Sequence, residues 1–235
     1  NLLGIAYLDG KRPHLIVQRG TYTQIKIEAY DPDLNLVWKW NSPDEQRKYN
    51  SQGAHTMHAA DVDGDGFDEI IIGAAVVDHD GKGLWTRETG HPDTCYVGDI
   101  DPSRPGLEIF YGIEPRQSRH GVCLADACTG ETIWGIEEAT RHVHSAGMVA
   151  DLLADCPGQE CYAGERDFPT RWLMSAAGKR IGDQDIGGLA PKAAWWDADE
   201  QKELITKAGI ADFGGPVHDR IEGKVIAIVD CLGDW

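Results

Sequence analysis

An all-β chain built from repeated four-stranded units is predicted, on three observations. One layout occurs three times: Asp61-Val-Asp-Gly-Asp-Gly-Phe-Asp68-Glu69, Asp99-Ile-Asp-Pro-Ser-Arg-Pro-Gly-Leu-Glu108 and Asp151-Leu-Leu-Ala-Asp-Cys-Pro-Gly-Gln-Glu160. Each time a short apolar strand ends in Asp, a tight Gly/Pro turn follows, and an acidic residue opens a second apolar strand, as in Glu69-Ile-Ile-Ile-Gly73. Strand signals also come in sets of about four, and three outer strands end in a Leu/Ile–Trp signature at Trp38, Trp85 and Trp134. Spaced β repeats of this kind mean an array of similar units, and a β-propeller with four-stranded blades is the closed form they favour.

The first blade reads Gly4–Leu8, Leu15–Gln18, Gln24–Tyr30 and Leu36–Trp40, the third strand alternating as a half-buried strand should. The second runs from Met57 to Trp85, the third from Cys95 to Trp134 and the fourth from Ala146 to Ile181, and a fifth begins at Ala193-Ala-Trp-Trp196. Val225–Asp230 looks like the first strand of a sixth. The repeated Trp is most simply packing between blades. A propeller cannot stop inside a blade without unpaired strand edges. Residues 1–235 are therefore expected to be one partial propeller domain, truncated at one or both ends and holding about five blades. Asn1 lies in a strand region without an initiator Met or signal peptide, so the chain reads as a processed or trimmed piece.

With 22 basic against 39 acidic residues the net charge is −17, which argues against nucleic acid as a partner. A polyanionic ligand would need a local basic site or bound cations. No run of 18 apolar residues is present, so no membrane span is expected. Six cysteines occur without a CxxC or Cys/His zinc pattern. The Cys123/Cys128 and Cys156/Cys161 spacings suit a bridge across a hairpin or bulge and favour a secreted protein, extracellular or periplasmic, over buried free thiols.

The first repeat loop is a Ca²⁺ candidate, because alternating carboxylates around a Gly turn offer hard oxygen ligands. Asp61, Asp63, Asp65, Asp68 and Glu69 are its candidate ligands, and Asp99, Asp101, Glu108, Asp151 and Glu160 those of the later loops. There the middle carboxylate is replaced by Ser103 or Ala154. It is not an EF-hand: Ile72 holds the twelfth position and strands flank the loop. The competing reading is that these Asp side chains only cap hairpins.

Taken together, these segments resemble the rhamnogalacturonan lyases of polysaccharide lyase family 11. Arg19-Gly20-x-Tyr22-Thr23, Ala60–Ile70, Ala75–Gly81, Val97–Ile109, Asp126–Gly135, Gly147–Asp151, Pro157–Glu160, Trp195–Asp199 and Leu232-Gly-Asp-Trp235 carry the likeness. The resemblance implies an eight-bladed, calcium-containing propeller. The chain departs from the pattern at Gly53-Ala-His-Thr56, where the family reads Gly-Asn-His-Asn, and at Ala146, where it carries Arg. Its Asn-Gly-Thr-Lys stretch is only echoed by Gly223-Lys224.

Uronate lyases take the proton from C5 and expel the 4-linked sugar, which requires a positive partner for the carboxylate, a base, and a proton donor. His55 lies 6 residues before Asp61, His91 8 before Asp99, His144 7 before Asp151 and Lys224 6 before Asp230. All four fall at or just before the start of an innermost strand and should gather on one face, which makes them the catalytic candidates. Arg119, His120 and Arg166 follow second strands on the same face and are candidates to clamp a carboxylate. Solvated surface residues are the competing reading. Tyr111 and Tyr162, inside strands, are read as core, and Tyr22 has no clear assignment.

The expected function is a secreted, monomeric lyase acting on an acidic, rhamnose- and uronate-containing plant or algal polysaccharide. A calcium-dependent carbohydrate-binding or adhesion propeller without catalysis is the alternative. A quinone-type dehydrogenase propeller is a weaker one, suggested by the repeated Trp and opposed by the Asp-rich loops.

Overall fold

In the computed structural model, residues 1–235 are described except 198, 224, 226, 227 and 229–235. The expected strand at Val225–Asp230, the Leu232–Trp235 motif, Cys231 and the candidate Lys224 therefore fall wholly or largely outside the described residues. The remainder forms five four-stranded antiparallel sheets, each a meander in sequence order. The first sheet is β1 (Leu2–Ala6), β2 (His14–Arg19), β3 (Lys26–Tyr30) and β4 (Leu36–Asn41). The second is β5 (Gly53–Ala60), β6 (Glu69–Gly73), β7 (Ala75–Val77) and β8 (Gly83–Thr86). The third is β9 (Pro92–Gly98), β10 (Glu108–Ile113), β11 (Val122–Asp126) and β12 (Thr132–Gly135). The fourth comprises β13 (Met148–Ala150), β14 (Glu160–Gly164), β15 (Arg171–Met174) and β16 (Arg180–Gly182). The fifth comprises β17 (Lys192–Ala194), β18 (Glu203–Ile205), β19 (Ile210–Ala211) and β20 (Val217–Asp219).

Period-2 side-chain alternation decides how the sheets stack. β6, β10 and β14 are buried along their whole length, so both faces of each sheet are covered. Ile70 and Ile72 of β6 pack with Ile16 and Ile27 of the first sheet, while Ile71, between them, packs with Ile109 and Tyr111 of the third. Phe110 turns the other way, onto Cys161 and Trp172 of the fourth sheet. Tyr162 then joins Leu204 of the fifth. The result is a serial stack in which β1 touches β5, β5 touches β9, and β9 touches β13.

Two repeated devices hold the stack. The indole N–H of Trp38, Trp85 and Trp134, each on a fourth strand, donates to a carbonyl in the third turn of the next sheet: His79 at 2.8 Å, Ala127 at 3.1 Å and Ala176 at 2.7 Å. The ring lies on a glycine of that turn, Gly81, Gly130 or Gly178, each at positive φ. A Cβ there would sit 2.5–2.8 Å from the indole, so the turn conformation and the close approach both require glycine. The second device is the Glu that opens the second strand of the second to fifth sheets. Glu69, Glu108, Glu160 and Glu203 are at most 1% exposed, and each accepts backbone amides of the loop before it, from Val62, Ile100 with Asp101, Leu152 and Trp196.

Two expectations need correcting. Cys95, Cys123, Cys128, Cys156 and Cys161 are free thiols, so neither short-range bridge forms. Cys123 and Cys161 point from β11 and β14 into the core, while Cys128 and Cys156 lie in turns. Roughly 3.3 Å of rise per residue along β11 carries Cys123 away from Cys128, while Cys156 lies in the turn before β14 and Cys161 inside that strand. The double Trp does not continue the fifth sheet's first strand either. β17 stops at Ala194, and Trp195 and Trp196 are about half exposed in the loop, with the Trp196 amide held by Glu203.

Candidate functional site

In an antiparallel meander the start of each first strand and the end of each second strand share one end of the sheet. That end collects His55 of β5, His91 and Asp93 at the start of β9, Glu114 just past β10, and His142 and His144 ahead of β13. Tyr22, from the turn between β2 and β3, closes the group. Its hydroxyl lies 2.9 Å from His55 Nε2, and its ring centroid is 4.7 Å from that of His91.

Asp93 is the centre. Its side chain is 6% exposed; Oδ1 lies 2.9 Å from His91 Nε2 and 3.6 Å from His55 Nε2, and Oδ2 lies 2.6 Å from His144 Nδ1. Glu114 forms a second pole, with Oε1 at 3.0 Å from His142 Nε2 and 3.4 Å from His144 Nδ1, and Oε2 at 3.6 Å from His91 Nε2. His142 also reaches Asp167 at 3.5 Å. Its pKa is raised, chiefly by the hydrogen bond to Glu114, while Tyr22 is pushed up by burial and by the charges of Glu114 and Asp93. Among the described residues no Lys or Arg forms an ion pair with Asp93, Glu114 or Asp167.

The donor set suits a cation. His91 Nδ1 contacts the Gly53 carbonyl, which can only accept, so Nδ1 carries a proton while Nε2 faces the Asp93 carboxylate. That 2.9 Å contact is made by a proton on Nε2 or replaced by a shared metal ion, and a backbone carbonyl on the far nitrogen is the usual support of a ligating His. His55, His91 and Asp93 offer ligand atoms within 4.8 Å of one another, as do Glu114, His142 and His144.

The structure thus brings together His55, His91 and His144. Arg119 and Arg166 are exposed and form no ion pair among the described residues. His120 turns outward to Glu137 at 3.2 Å. At the opposite end of the second sheet, Asp61, Asp63 and Glu69 place ligand oxygens within 4.8 Å of one another. Glu69 Oε1 is buried with no hydrogen-bond partner, and burial pushes the carboxyl up to about 7. The hairpin-capping roles coexist there: Asp61 accepts the Gly64 and Gly66 amides, and Asp65 that of Phe67. Asp68 turns away and accepts the Tyr7 amide. In the third sheet Asp101 Oδ1 is taken by the Ser103 amide and hydroxyl, with Glu108 on the loop amides and Asp99 exposed. In the fourth, Glu160 accepts the Leu152 amide and Asp151 is half-buried beside it.

The sequence model of "Rhamnogalacturonan lyase family 11, C-terminal domain" matches residues 1–226. The chain belongs to this family. Rhamnogalacturonan endolyase YesW of Bacillus subtilis (strain 168) is 37% identical over 252 residues, covering 100% of this chain and 39% of its own. Rhamnogalacturonan exolyase YesX of the same organism is 40% identical over 231 residues, covering 95% and 37%. A solved Bacillus licheniformis rhamnogalacturonan lyase superposes with a TM-score of 0.80 at 41% identity, over 90% of this chain and 35% of that one. The chain spans under two fifths of the length of these curated relatives.

Within this family-11 chain, the sequence reading missed Asp93, Glu114 and His142. Two signals were available: His91-Pro-Asp93 and His142-Val-His144 are pairs at i, i+2, which an extended backbone projects to one side. Glu114 had none, because its place depends on the length of β10.

Proposed function

We propose that this chain is part of a secreted polysaccharide lyase that cleaves rhamnogalacturonan by β-elimination. The observation that carries this is the Asp93–Glu114 centre, ringed by His55, His91, His142 and His144 in a chain of the rhamnogalacturonan lyase family. The five stacked sheets, with neighbouring first strands in contact, support about five blades of an eight-bladed propeller whose axis passes this centre. Secretion follows from substrate size, since a polymer cannot reach an enzyme across a membrane. The free thiols add nothing to it. The protein acts as a monomer on an acidic plant or algal polymer.

The substrate is an anion approaching a carboxylate-rich site on a chain of charge −17. Bare Asp93 and Glu114 would repel it. A Ca²⁺ held by the Asp93 and Glu114 carboxylates would neutralise the uronate carboxylate and acidify the C5 proton. His91 is fixed by the Gly53 carbonyl, so its role is to orient. His55 and His144 are more exposed and are the groups left to move protons, His144 oriented by Asp93 and His55 by the Tyr22 hydroxyl. Lys224 joins them as a candidate from outside the described residues, and exposed Arg119 and Arg166, with His120, would meet flanking uronates. At the other end of the sheets Ca²⁺ is held by Asp61, Asp63, Asp65 and Glu69, with weaker seats at the Asp99/Asp101/Glu108 and Asp151/Glu160 loops. Asp68, engaged by Tyr7, drops out of that set.

Lyase action leaves an ultraviolet-absorbing unsaturated uronate, so incubating the full-length enzyme with rhamnogalacturonan should produce that absorbance. His144→Ala should cut turnover by roughly 10²–10⁴ with substrate binding retained. Retention of polymer without any unsaturated product would return the chain to the carbohydrate-binding reading.

A further inference from the structure

At the end of the second sheet remote from the histidine-ringed centre, one residue stands outside the calcium loop yet faces it. His79 belongs to the turn between β7 and β8, not to the Asp61–Glu69 loop. Its Nδ1 lies 3.4 Å from Asp65 Oδ2 and 3.8 Å from Glu69 Oε1. Asp78 Oδ1 is 2.7 Å away, without the alignment of a hydrogen bond. Three heteroatoms, Glu69 Oε1, Asp78 Oδ1 and His79 Nδ1, are thus buried side by side with no hydrogen-bond partner, and the Glu69 side chain is fully buried.

Distance decides what they are built for. N–H···O hydrogen bonds run about 2.7–3.2 Å, so 3.4 and 3.8 Å are too long for them. Ligand atoms bound to one cation at about 2.0–2.2 Å stand roughly 3–4 Å apart, as His79 Nδ1 does from Asp65 Oδ2 and Glu69 Oε1, while Asp78 Oδ1 is closer and stands beside the set. Chemistry decides the metal. Asp61, Asp63 and Glu69 form an all-oxygen set, whereas Asp65, Glu69 and His79 mix carboxylate with imidazole. Imidazole suits Zn²⁺ and its first-row neighbours and is a poor match for Ca²⁺. The position is also held firmly: Phe67 packs on the His79 ring at 4.6 Å, and the His79 carbonyl takes the Trp38 indole N–H.

We infer that Asp65, Glu69 and His79, assisted by Asp78, form a separate seat for a first-row divalent cation of the Zn²⁺ type. It shares Asp65 and Glu69 with the calcium loop and clips the first turn of the sheet to its third. The seat does not depend on the lyase reading, because it lies at the far end of the sheet.

The test uses the full-length protein, stripped with chelator and then given Zn²⁺ or Ca²⁺, with bound metal counted by mass spectrometry and melting followed in parallel. Wild type should bind one more equivalent of Zn²⁺ than His79→Gln, with the Ca²⁺-dependent rise in Tm unchanged. Co²⁺ in place of Zn²⁺ should give a visible band that His79→Gln loses. Should His79→Gln fold poorly, Asp65→Asn, at a more exposed turn position, should lose the same equivalent. Equal Zn²⁺ counts in wild type and variants would overturn the inference. So would loss of the Ca²⁺ effect in His79→Gln, since the imidazole would then belong to the calcium seat itself.

Discussion

At Glu69 one carboxyl would couple the proposed cation, a proton and the fold. Buried and surrounded by Asp63, Asp65 and Asp78, it titrates near 7 in the folded chain against an ordinary 4.5. In chelated protein the folded state therefore holds a proton that the unfolded state has released. The stability tied to that proton is complete below pH 4.5 and is lost as pH rises to 7, a change on the order of 3 kcal/mol. A bound cation replaces the proton, so its stabilisation should grow over the same window. Urea melts in chelator at pH 5 and pH 8 check this: Glu69→Gln should reduce the slope, leaving what the similarly raised Glu108 and Glu160 and the shifted His58, His142 and His218 contribute. An identical slope in wild type and variant would remove Glu69 from the cation site. The Asp-Gly repeat made the loop legible in the sequence. His79 was not, because only the folded sheet brings its third turn beside its first.

Among the elements, the Trp-on-glycine contact between successive sheets makes a measurable prediction. Gly130→Ala places a methyl 2.7 Å from Trp85 at φ +73, so it combines overpacking with an unfavourable backbone region. A loss of about 2–4 kcal/mol is expected, lowering Tm by several degrees for a chain of this size. In a Trp85→Ala background the steric part should vanish, and a double-mutant cycle on the melting curves reads that coupling. Additive losses would mean the ring does not rest on the turn. The strands, their grouping by four and the Trp packing role were legible because alternation and repeat spacing are local properties. Misreadings came where spacing alone was used for tertiary facts. Cys123 and Cys128 are five residues apart along a strand and its turn, which takes them away from each other. The double Trp looks like strand but is turned out of the ladder by Glu203. A fourth buried Glu, Glu203 itself, went unseen because its loop lacks the glycine that stands two or three residues before the Glu in the others.

For the whole molecule, charge should govern how the polymer is met. Lyases that rely on a basic groove bind polyuronates less well as salt rises. Here the chain carries −17, and the described part of its histidine centre holds carboxylates without a paired Lys or Arg. Long-range repulsion must be overcome before the cation proposed at Asp93 and Glu114 can act at contact distance. Raising ionic strength from about 10 mM to about 150 mM shortens the screening length from about 30 Å to about 8 Å, which removes the repulsion but leaves a partly buried contact nearly intact. Association of rhamnogalacturonan fragments with this chain should therefore strengthen several-fold across that range, and chelator should abolish it at every salt concentration. Titration calorimetry at the two ionic strengths, with and without chelator, gives all four values. Weaker binding at the higher salt, insensitive to chelator, would mean that fixed basic side chains rather than a held cation receive the uronate, and the proposed role of Asp93 and Glu114 would fail.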